Sequence, residues 1–104
     1  MQRTKAENIT DLLGAFLRNN GLETPLAEHR LLKAWPEVVV AQLGEAVGQR
    51  VVKSTTGLRI AEQTLHVSLS SPPLRQHLRM MAPSLVEALN VQAGMRLITA
   101  VAFH

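Results

Sequence analysis

The sequence contains no cysteine and only one aspartate, Asp11, and its large aromatic side chains are limited to Phe16, Trp35 and Phe103. Without cysteine there can be no disulfide, no thiol nucleophile and no cysteine-ligated zinc, which fits a cytoplasmic setting. A Ser-His-Asp triad would have to recruit Asp11, which has no other local support for that role. Neither a Gly-x-Gly-x-x-Gly run nor a Walker loop is present, so a nucleotide phosphate cradle has no basis in the sequence. His29, His66, His77 and His104 show no ligand-like spacing with carboxylates. The opening MQRTKAENIT lacks the apolar region of a signal peptide, and no apolar run approaches the ~20 residues of a membrane span. The expectation is a non-catalytic protein that needs neither cofactor nor metal and does not enter a membrane.

What is present is ordinary globular material, 46% hydrophobic and 18% charged over 104 residues. That length supports one domain, 1–104, with residues 1–7 as a flexible N-terminus. With aromatics at 3%, the core must be aliphatic. The net charge of +3 is unevenly spread. Residues 1–49 carry five Lys/Arg against six acids, whereas residues 50–104 carry six against two, Glu62 and Glu87. This asymmetry suggests an anionic partner for the second half, although a mildly basic solvated face would look the same.

Periodicity gives the order of elements. Ile9, Leu12, Leu13, Phe16 and Leu17 form a helical stripe, capped by Asn8 and closed at Asn19-Asn20-Gly21. Thr24-Pro25 opens a second helix through Leu31, Leu32 and Trp35, with a kink or restart predicted at Pro36. Its apolar face continues through Val38, Val39, Leu43, Ala46 and Val47, and Gly44-x-x-x-Gly48 would permit close helix packing. The run Val51 to Thr56 reads as strand by its β-branched content, or as the last turn of the preceding helix. Gly57 marks a turn, after which Leu58 and Ile60 alternate with Arg59 and Ala61. Glu62-Gln63 joins this strand to a second, where Leu65, Val67 and Leu69 alternate with His66, Ser68 and Ser70.

Ser71-Pro72 then starts a helix, and Leu74, Leu78, Met81, Leu85 and Leu89 share one face. Pro83 divides it into helices of about 72–80 and 83–90. Asn90 to Gly94 closes the pair, and Leu97 to Phe103, apolar almost throughout, reads as a central or well-covered strand. The predicted fold class is α+β, a three-stranded sheet packed on helices in the order α-α-β-β-α-α-β.

The chemistry-bearing residues are cationic. Arg75 and Arg79 lie one helical turn apart. Arg50 and Lys53 precede the hairpin, Arg59 and His66 point outward from paired strands, and Arg96 begins the last strand. Arg50, Lys53, Arg59, Arg75, Arg79 and Arg96 are the candidate nucleic-acid-binding residues, suited to sequence-independent phosphate contact with single- or double-stranded DNA. The solvent face has no aromatic pair for stacking bases, and there is no G-x-x-G clamp.

The pattern Leu65-x-Val67-x-Leu69-x-Ser71-Pro72-x-Leu74-Arg75-x-x-Leu78, followed by Leu85-x-x-x-Leu89-Asn90, Gly94 and Ile98-x-x-x-x-Phe103, resembles the DciA-like family. Leu31 to Trp35 and Thr55-Thr56 match its upstream signature, and the resemblance spans roughly residues 8–104. It is most similar to the short, single-domain members. It implies a KH-like fold and a role in bacterial DNA replication as a DNA-binding operator or loader of the replicative helicase. It also favours helix for residues 51–54. His77 stands where the family often has an acidic residue, which makes this helix more basic.

Three readings follow. The first is a DNA-binding module acting in replication initiation, with the replicative helicase as a protein partner. The second is a protein-interaction adaptor that uses Trp35, beside Pro36 and the Val38–Val47 run, as its partner-binding surface; Trp35 also reads as the main core aromatic. The third is a homodimer through the glycine-containing helix.

Overall fold

A computed structural model describes residues 23–104. The helix predicted from Asn8 to Asn20 lies outside the described residues. The elements run α1 (Glu23–Leu43), α2 (Glu45–Ser54), β1 (Thr55–Ala61), β2 (Thr64–Leu69), α3 (Pro72–Met80), α4 (Ala82–Ala93) and β3 (Ala100–Phe103). This is a mixed α+β architecture in which helices back a three-stranded sheet.

Helix α1 runs unbroken through Pro36. The restart offered as one reading of Pro36 falls eight residues later, at Gly44, whose φ of 88° is open to glycine at little cost. The pyrrolidine of Pro36 faces solvent, while Leu31, Ala34, Trp35, Val38 and Val39 around it are buried. Burying a large apolar side chain contributes about 1.5–3 kcal/mol, so this face outweighs one missing backbone hydrogen bond. The turn at Gly44 folds α2 back onto α1. A Cβ at Gly48 would stand 2.5 Å from the Val40 Cα, so the close packing permitted at Gly48 is used inside the chain, whereas a Cβ at Gly44 would meet nothing within 4 Å.

Residues 51–54 complete α2, with Val51 fully buried. The strand begins directly at Thr55, and the Thr55–Gly57 register shift makes a bulge; Gly57 is therefore inside β1 and not at a turn. The hairpin turn is Glu62-Gln63, with φ of 51° and 60°. Two consecutive left-handed residues give the twist a two-residue hairpin needs, here without the usual Asn-Gly.

β2 is the central strand, antiparallel to β1 and parallel to β3. Of the two readings of the final strand, central or well-covered, the central one fails: it is an edge strand of four residues, with Val101 and Phe103 buried inward and Ala100 outward. The apolar stretch before it is buried for a different reason. Leu97 and Ile98 form no strand, and their backbone is held by the Asn90 side chain. Asn90 Oδ1 accepts from both Leu97 N–H and Ile98 N–H at 3.0 Å, and Nδ2 donates to the Ile98 carbonyl at 2.9 Å.

One apolar cluster unites these elements. Leu31, Trp35 and Val39 of α1, Val51 of α2, Leu78 of α3 and Leu85 and Leu89 of α4 meet Leu65, Val67, Val101 and Phe103 of the sheet. Among the described residues no polar or charged side chain is buried.

Candidate functional site

The C-terminal ends of the parallel strands β2 and β3 lie side by side. Leu69 N–H donates to the His104 carbonyl at 2.9 Å and His104 N–H donates to the Val67 carbonyl at 2.8 Å. Strand ends leave carbonyls without ladder partners, and α3 supplies donors to two of them. Arg75 Nη1 donates to the Leu69 carbonyl at 2.8 Å, and Arg79 Nη2 donates to the Phe103 carbonyl at 3.3 Å. The Ser71-Pro72 start of α3 sets this up, because it launches the helix straight from the end of β2. Each guanidinium commits one N–H to the sheet, and a guanidinium has five. Among the described residues the remaining donors have no hydrogen-bond partner, and they sit on side chains whose freedom the carbonyl bond has already reduced.

The end of α2 adds to this rim. Ser70 N–H donates to the Ser54 carbonyl at 2.9 Å, and Thr55 pairs with Leu69. Lys53, exposed, therefore stands next to the strand end that Arg75 holds, with Arg50 one turn back on the same helix. On the sheet's outer face Arg59 pairs with His66, and His66 in turn touches His104.

The fold thus brings Arg75 and Arg79 to the strand ends, with Arg50 and Lys53 on the helix that leads into β1 and Arg59 paired with His66 on the outer face. Arg96 is not brought to this rim. It precedes Thr99, whose N–H donates to the Gln63 carbonyl at the hairpin turn, at the opposite end of the sheet.

Trp35, the candidate partner-binding residue, is a core side chain at 1% exposure. Its ring lies 6.5 Å from that of Phe103, and its Nε1–H donates to Thr55 Oγ1 at 3.2 Å. The Thr55 hydroxyl donates in turn to the Val51 carbonyl at 2.7 Å. An indole seeks a partner for its N–H when buried, and Thr55 provides it. Val38 and Val39 are buried with it, whereas Pro36, Ala41 and Ala46 are exposed and Val40, Leu43 and Val47 half-buried.

Two residues escaped the sequence reading. Asn90 was read only as a helix closer, and nothing local marks its clamp on residues 97–98. His104 was not assigned to any face. The in–out alternation Val101, Ala102, Phe103, His104 would have put it on the outer face beside His66 once the parallel β2–β3 pairing was known.

None of the described helices is long and apolar enough to cross a membrane. A family model described as "Dna[CI] antecedent, DciA" matches residues 8–103. No curated protein and no solved structure matches the chain.

Proposed function

The chain belongs to the DciA family, and on that premise we propose that it is a non-catalytic, KH-like DNA-binding module that acts in replicative-helicase loading. Family membership is consistent with the helicase-loading role; phosphate contact is the part argued from the residues. The observation that carries it is the pair Arg75 and Arg79, anchored to the strand-end carbonyls of Leu69 and Phe103. Arginines pre-positioned by one hydrogen bond lose less freedom when the rest of the fork meets a phosphate. Lys53 and Arg50 extend the same rim, and Arg59 lies around the sheet edge from it. Contacts of this kind read backbone charge and not base sequence.

The reading is tested by fluorescence-anisotropy titration of single- and double-stranded DNA at several salt concentrations. Binding at about 50 mM salt should weaken steeply with added salt, and each lost phosphate contact should reduce the log–log slope by about 1. Arg79→Ala should weaken binding to all sequences alike. Failure to bind at low salt, or binding indifferent to Arg79→Ala and Arg75→Ala together, would sink it. A pull-down with the replicative helicase completes the test. Capture that persists in those variants while DNA binding is absent would move the function to a protein adaptor.

A further inference from the structure

The outer face of the sheet carries a feature that the rim does not need. β2 sends Leu65, Val67 and Leu69 toward the helices and Thr64, His66 and Ser68 to the other side. Among the described residues, the buried side chains of all four helices join the inner face only. On the outer face His66 Nδ1 stands 2.9 Å from His104 Nε2, with ring centroids 5.2 Å apart and planes 17° from parallel.

That contact fixes a proton count. It requires an N–H on one nitrogen and a lone pair on the other, so the touching pair holds at most one imidazolium. The surroundings make even that charge unfavourable. The atoms of the sheet strip water from His66, and Arg59 on β1 and His104 after β3 add positive charge. Together they put its pKa below the ordinary value, with Glu62 at the hairpin turn opposing them. From α3, Arg79 reaches the carbonyl of Phe103, directly before His104. Among the described residues, Arg59, His66 and His104 thus share this face, with Glu62 at its margin, and positive charge outweighs negative there.

We propose that the outer sheet face is a second phosphate-contact site, in which His66 and His104, flanked by Arg59, take up a proton when a nucleic-acid phosphodiester docks across them. The inference rests on the nucleic-acid reading above and deepens it. A phosphodiester supplies the charge that stabilises one imidazolium in the pair, and its outward N–H then becomes a charge-assisted donor to the phosphate while the shared N–H···N contact is kept. Two near-parallel imidazoles on a flat sheet face also offer a surface on which an unstacked base can lie, which favours a single strand. The face joins the Arg75–Arg79 rim at His104, so one strand could run from rim to sheet. Because proton uptake and binding are reciprocal, DNA affinity rises as pH falls.

The experiment is an anisotropy titration of the intact chain with a fluorescein-labelled oligothymidine at constant ionic strength, from about pH 8 to about pH 5.5. Uptake of one proton per bound strand should raise affinity by about tenfold across this range. The rise should survive in His29→Gln and be lost in the His66→Gln/His104→Gln double variant. A rise of equal size in the double variant, or one abolished by His77→Gln instead, overturns the proposal while leaving rim binding intact. No DNA binding at any pH overturns the rim reading as well. Histidine-ring NMR titration of the unmodified chain gives a second readout that does not depend on the double variant folding. Added oligothymidine should shift the His66 and His104 titrations to higher pH, and unmoved titrations would refute the site.

Discussion

Replacing Asn90 by alanine removes three hydrogen bonds at once and tests what holds the third strand in place. Asn90 serves Leu97 N–H, Ile98 N–H and the Ile98 carbonyl, all within 3.0 Å. Ile98 is fully buried and Leu97 nearly so, so water cannot simply replace the lost partner. A typical hydrogen bond contributes about 0.5–1.5 kcal/mol net, and a buried group left unpaired costs about 1–3 kcal/mol. Three such groups at the lower half of that range predict a loss of about 3–5 kcal/mol for Asn90→Ala, a large share of the roughly 5–15 kcal/mol that holds a domain folded. Asn90→Leu should lose about as much, because matched volume does not restore the bonds. Equilibrium urea denaturation measures both, with the exposed Gln92→Ala as a control expected within about 0.5 kcal/mol of the parent. A loss below about 1 kcal/mol for Asn90→Ala would refute the clamp and show that the 97–98 segment is held by its apolar side chains alone.

Three further outcomes follow from the geometry. Gly48→Ala should destabilise by about 1–3 kcal/mol in the same assay, although alanine is the better helix former by about 1 kcal/mol, because its Cβ would collide with Val40; an unchanged midpoint would show that α1 and α2 separate freely. Replacing Glu62-Gln63 by Asn-Gly should stabilise by about 1 kcal/mol without changing the denaturant slope, since both positions are left-handed; a drop would mean that the Glu62 side chain is needed. His66 has its folded-state pKa below the unfolded value, so the unfolded chain binds more protons around pH 6. Thermal stability should therefore be flat above about pH 7 and fall as pH drops through about 6.5, less steeply in His66→Gln; equal slopes in the two proteins would contradict this.

Some features were legible because the signal that encodes them is local. The Leu65-Val67-Leu69 alternation, the Ser71-Pro72 helix start and the division of the last helix near Pro83 each depend on neighbours a few residues away. A restart of the first long helix falls at Gly44 and not at Pro36, because the two compete in a way that propensity alone does not resolve. A proline whose ring faces solvent is tolerated when the helix face behind it is buried. A glycine at φ 88° allows a change of direction that other residues resist. The burial of Leu97 and Ile98 was visible but its cause was not, since it comes from a side chain seven residues earlier in a different element. The cationic candidates could be named from charge and spacing, yet nothing in their order showed that Arg75 and Arg79 reach strand ends or that Arg96 stands apart.

The sequence by itself determined the α+β class, the positions of the hairpin and crossover helices, an aliphatic core and a basic second half. These follow from period, caps and composition, which act over one or two turns of chain. Only the tertiary structure decided which strand is central, that Trp35 is interior, and that His66 meets His104 across 38 positions. Those facts depend on the parallel pairing of β2 with β3 through α3 and α4. Such a pairing is set by how buried faces fit together over long separations, and no local pattern carries that information.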